Sequence, residues 1–150
     1  MTVRAFSLTE VVIALGVVAF CLVALIGLLP ASLRIQQSAT QSTAAINLIS
    51  GIAADLRLAR TNLPSPVYSI QLPAPAGQAV TNRFFIDGAG RRSDQLVDQS
   101  GLGGSRYRVQ IVIEPPVDSH FLPSTAWILV TWPPAATQNP AGHAEVATRF

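Results

Sequence analysis

Residues 6–29 read FSLTEVVIALGVVAFCLVALIGLL. One acid, Glu10, is followed by nineteen residues, Val11–Leu29, that carry no charge. As a helix these would rise about 28 Å, close to the roughly 30 Å hydrocarbon core of a bilayer. The stretch therefore predicts a transmembrane helix over residues 6–30, behind a five-residue leader, MTVRA. The competing reading is a cleaved secretory signal, whose apolar core usually runs about 7–15 residues to a small-x-small site. This run is longer, and the residues after it continue into helical periodicity. Arg4 on one side and Arg34 on the other leave orientation open by the positive-inside count.

Glu10 supports two readings that do not exclude each other. Ser7-x-x-Glu10 is the pattern of a capping box, and an acid suits the positive end of a helix. A carboxylate at the mouth of a membrane helix is also costly, and marks a functional residue by default. Cleavage between Ala5 and Phe6 would create a cationic amine four residues before Glu10. In lipid both groups need a partner, and opposite charges on neighbouring copies would supply it and fix the register of side-by-side helices.

Beyond Pro30 the apolar spacing resumes. Ile35, Ala39, Ser42, Ile46, Ile49, Ala53 and Leu56 recur at steps of four and three, widened by Leu48 and Ile52. This predicts an amphipathic helix over 31–62 that packs on a domain, with Gln37, Thr40, Gln41, Asn47, Asp55 and Arg57 on its polar face. Gly27 and Pro30 are candidate bends, and a break at Pro30 into two helices is the alternative. Pro64 bars continuation.

Residues 63–150 read as β-rich. Four prolines punctuate a possible short strand at Tyr68–Leu72. Arg83–Ile86 leads into Asp87-Gly88, a hairpin signal. Residues 88–105, with five glycines, read as a surface loop. Tyr107, Val109, Ile111 and Ile113 alternate with Arg108, Gln110, Val112 and Glu114, the clearest strand pattern in the chain. Ala126–Trp132 is a second strand, with Trp127 and Trp132 on opposite faces so that at most one is core; Val146, Thr148 and Phe150 mark a last one. The predicted fold class is α+β: a long N-terminal helix, half transmembrane and half amphipathic, packed on a small antiparallel sheet.

Composition excludes several functions. The ten cations are all arginine and are scattered, so no basic stripe for nucleic acid exists. Cys21 is the one cysteine, so no intrachain disulfide and no cysteine-based zinc site can form. His120 and His143 are isolated in loops. Gly101-Leu102-Gly103-Gly104-Ser105 lacks the Lys-Ser/Thr of a phosphate loop and precedes a strand. Asp87, Asp94 and Asp98 share one loop region, but not at EF-hand spacing. No catalytic residue, metal site or cofactor is expected, and the chain is not expected to be an enzyme.

The segment RAFSLTEVVIALGVVAF resembles the prepilin-type cleavage and methylation motif of type IV pilins and type II secretion pseudopilins. The resemblance covers about the first thirty residues. It implies that a prepilin peptidase cuts between Ala5 and Phe6, that Phe6 is N-methylated, and that Glu10 pairs with the terminal amine of another subunit. Ser7, Leu8 and Thr9 fit the motif, whereas the family's glycine before the cut is Ala5 here. The tail pattern W-x-L-x-T-W-P-P, Trp127–Pro134, is similar to minor pseudopilins and to the pilin-like Verru_Chthon cassette protein B family. The implied protein is a structural, minor subunit of a pilus-like or pseudopilus filament with a pilin-like roll. Its implied partners are a prepilin peptidase/methyltransferase, other pilin-like subunits and inner-membrane lipid, with the domain on the periplasmic side. A non-polymerising, single-pass tethered binding module, using Glu10 only as a cap, is the alternative.

Overall fold

A computed structural model describes residues 7–59, 63–74, 77–97, 104–115, 124–136 and 138–150. Its elements are one helix, α1 (Leu8–Leu58), and five strands: β1 (Val80–Asp87), β2 (Arg92–Ser93), β3 (Ser105–Glu114), β4 (Thr125–Trp132) and β5 (Gly142–Arg149). The fold is α+β, as the sequence predicts. The chain divides into two units, Met1–Thr40 and Gln41–Phe150.

The first unit is the N-terminal part of α1. The helix runs without interruption through Pro30, so the alternative of two helices broken there is not what forms. Prolines are tolerated in membrane helices when neighbouring groups re-satisfy the backbone. Two residues on from Pro30, the Ser32 hydroxyl donates to the Leu29 carbonyl at 2.8 Å. Every residue from 7 to 40 is exposed, including Phe20, Leu25 and Ile26. A helix this apolar with no protein cover is long enough to cross a membrane once.

In the second unit the helix supplies Ala45, Ile49, Ile52, Ala53 and Leu56 to one core with Phe84, Ile86, Tyr107, Val109, Ile111, Ile113, Ala126, Ile128, Val130 and Trp132. The buried ridge differs from the expected stripe. Ile49, Ile52, Ala53 and Leu56 of that stripe are buried as expected, but Ile46 is 58% exposed and Ala45 is fully buried in its place, so the contact face departs from the expected one only at its N-terminal end.

The sheet order is β2-β1-β3-β4-β5, antiparallel throughout. Strand alternation determines which side chains meet the helix. Phe84 lies opposite Val109, Val109 opposite Val130, Ile111 opposite Ile128, and Ile113 opposite Ala126. Each fully buried side chain of this size contributes about 1.5–3 kcal/mol. Trp132 is on the core face, 5% exposed, and Trp127 on the outer face, 52% exposed.

Two expectations from sequence are corrected. Tyr68–Leu72 forms no strand: Ser69 is left-handed, at φ 49°, and a turn occupies the preceding residues. Residues 88–105 are not wholly loop: Arg92–Ser93 pairs back on β1 as β2, and Ser105 begins β3. The expected Asp87-Gly88 turn forms, with Gly90 at φ 80°. Side chains of β1 and β2 hold the segment that precedes the sheet. Asn82 accepts from the Gln71 amide and donates to its carbonyl, both at 2.9 Å, as a neighbouring strand would. Arg92 donates to the carbonyls of Tyr68 and Ser69 and lies 4.7 Å over the Phe84 ring.

On the opposite side β5 follows β4, and Ser124 and Phe150 exchange two backbone bonds of 3.1 Å. Gly142 faces Trp132 so closely that an added Cβ would lie 2.3 Å from the indole. Because that ring is buried it cannot swing away. Gly142→Ala is therefore expected to destabilise the domain by about 1–3 kcal/mol through overpacking, read as a lower denaturant midpoint with an unchanged slope.

Candidate functional site

The first helical turn of α1 holds the one acid of the first unit. The amides of Glu10 and Val11 both donate to the Ser7 carbonyl, at 3.0 and 3.3 Å. The Ser7 hydroxyl is paired with the Thr9 hydroxyl at 2.5 Å, so it is engaged outside a capping-box bond. Among the described residues no hydrogen bond or ion pair engages the Glu10 carboxylate. Beside it Val11, Ala14, Leu15 and Val18, at helical spacing, line with Glu10 an open apolar groove of about 380 Å³. The arrangement is a carboxylate with no partner among the described residues, at one end of an exposed apolar ridge. Ala5 and Phe6 lie outside the described residues.

The loop acids are occupied by the chain's own donors. Asp87 Oδ1 accepts from the amides of Ala89 and Arg91 at 2.8 and 2.9 Å, and Oδ2 from Arg91 Nε at 2.8 Å. The Arg91 amide, with the Arg91 side chain and the Ala89 amide after it, holds this carboxyl below its ordinary range. Asp94 pairs with Arg92 at 2.7 Å, and Asp98 lies outside the described residues. Among the described residues no three His, Cys, Asp or Glu side chains converge as a metal site would require. His143 is exposed on β5, and His120 lies outside the described residues.

One polar constellation is illegible in the sequence. Asp55, read there as part of the polar face of the helix, is 2% exposed. It accepts three hydrogen bonds, from the Ser65 hydroxyl at 2.6 Å and from the amides of Val67 and Tyr68 at 2.9 Å each. The Ser65 oxygen in turn accepts from the Ile70 amide at 2.9 Å. Burial, reinforced by the Asp55 charge, pushes the Tyr68 phenol up. This network ties the last turns of the helix to the segment that precedes the sheet. It faces no cleft, and its chemistry is that of a structural clasp.

No family model, curated protein or solved structure matches this chain. The functional reading rests on the residues and their geometry.

Proposed function

We propose that this chain is a structural subunit of a filament, a minor pilin-like component of a type IV pilus-like or type II secretion pseudopilus assembly. It enters the inner membrane through Val11–Leu29, with the β-rich domain on the periplasmic side. A prepilin peptidase removes residues 1–5, and Phe6 becomes the methylated N-terminus. Glu10 then pairs with the terminal amine of a neighbouring copy. In this reading the chain is a substrate of the peptidase and catalyses no reaction itself.

The observation that carries the reading is the Glu10 carboxylate, without a partner among the described residues, beside the exposed apolar face of Val11, Ala14, Leu15 and Val18. An anion in lipid demands a counter-charge, and a second helix laid along the groove would bring one. The uncovered apolar surface of residues 7–40 supports the same conclusion, since lipid or neighbouring helices would have to cover it. Intact mass and N-terminal sequencing of protein purified from native membranes test the proposal. A chain starting at N-methylated Phe6 is expected. A chain starting at Met1 or Thr2 would overturn it in favour of a tethered module that does not polymerise.

A further inference from the structure

The end of the sheet where β3 begins and β4 finishes holds a cleft of about 300 Å³. Gln41, Ser105, Arg106, Tyr107 and Trp132 line it, with the two prolines that follow Trp132. Its volume is at the lower end of the range for small-molecule sites, roughly 300–1,000 Å³. The walls are fixed. Tyr107 and Trp132 are both buried and meet edge to face, with centroids 6.1 Å apart at 77°. Gly142 gives the indole the space it occupies.

The polar character of the cleft has one sign. Among the described residues no carboxylate lines it. Arg106 is exposed at the rim and lies across Gly88, where an added Cβ would come 2.9 Å from its Nε. The neighbouring acid, Asp87, is taken by Arg91. Among the described residues Arg106 makes no ion pair or hydrogen bond. The Tyr107 hydroxyl donates to the Gln41 carbonyl at 3.4 Å, a long bond that a better acceptor can replace. Burial pushes the Tyr107 phenol up while the Arg106 charge pulls it down, so that charge is felt at the hydroxyl.

We propose that this cleft binds a small carboxylate carried on a flat apolar body. The carboxylate would sit on Arg106 and the Tyr107 hydroxyl, and the body against exposed Pro133 and the accessible edge of the Trp132 ring. Arginine suits this role because its planar fork matches a carboxylate. The site is independent of the filament reading, and neither depends on the other.

The test uses the full chain in detergent with Trp127→Phe, so that Trp132 alone reports by fluorescence. Phenylacetate is expected to shift the emission saturably, whereas phenethylamine, with the same ring and the opposite charge, is not. Arg106→Gln is expected to weaken phenylacetate about tenfold or more, the effect of losing a charged hydrogen bond. Tyr107→Phe, which keeps the ring, should weaken it severalfold. An equal response to the amine, an unaltered phenylacetate curve in Arg106→Gln, or a signal that does not saturate overturns the proposal. Because Arg106 is exposed, its variant is expected to unfold at the parent's temperature, which separates lost binding from lost structure.

Discussion

Glu10→Ala and Glu10→Val are expected to reach the membrane at the level of the parent chain and to be almost absent from sheared filaments. Removing the carboxylate makes the N-terminal helix more apolar, so insertion is not hindered. Assembly is affected differently. On the proposed pairing, the loss strands a terminal amine in lipid, and breaking a buried ion pair on one side costs about 3–5 kcal/mol. A loss of that size reduces incorporation by roughly two orders of magnitude or more. Membrane fractionation beside immunodetection of sheared filaments reads the two quantities separately. Glu10→Gln, which keeps the shape and removes the charge, should resemble alanine in assembly. Normal incorporation of these variants would show that Glu10 is only a helix-start residue, whatever the N-terminus of the mature chain.

Asp55→Ala is expected to be the most damaging single substitution in the β-rich unit. It leaves the Ser65 hydroxyl and the amides of Val67 and Tyr68 without their acceptor, in a place water reaches poorly. Hydrogen bonds to a charged group contribute about 1.5–3 kcal/mol each, and they are not additive. A net loss of about 3–5 kcal/mol is the reasonable scale. For a domain of this size each kcal/mol shifts the melting temperature by about 4–8 °C, so a fall on the order of 10–30 °C follows. Tryptophan emission in the full chain measures it, because Trp127 and Trp132 both belong to β4 and not to the membrane segment. Ser65→Ala should cost less, since Asp55 keeps two of its three donors. A melting temperature within a few degrees of the parent would mean that water replaces the lost carboxylate.

What could be read from the sequence was set by how local the physics is. β3 and β4 alternate apolar and polar residues because one face of the sheet is covered, and that pattern is visible in the chain itself. The membrane-length helix is equally local. The apolar spacing of the second half of α1 also shows which face is buried, since Ile49, Ile52, Ala53 and Leu56 all lie in the core. Only the start of that face differs: Ala45 and Ile46 are neighbours on the helix, spacing favours the isoleucine, and the alanine is the one buried. Asp55 reads as part of the polar face because aspartate usually is exposed; the donors that justify its burial arrive from ten to thirteen residues downstream. The two residues of β2 are too few to show a period, and left-handed Ser69 prevents the extended run that Tyr68–Leu72 suggests. Of the candidate sites, Glu10 stands out from sequence because its neighbours are contiguous. The Arg106 cleft draws on residues 41, 105–107 and 132–134, and no linear pattern joins them.

The side chains of Asn82 and Arg92 grip the backbone of the segment that leads from the helix to the sheet. On the sheet side that segment is held by amide and guanidinium groups instead of by a ladder of strand pairing. Its placement there therefore hangs on two residues, and a change at either one would loosen it while the register of the five strands stays as it is.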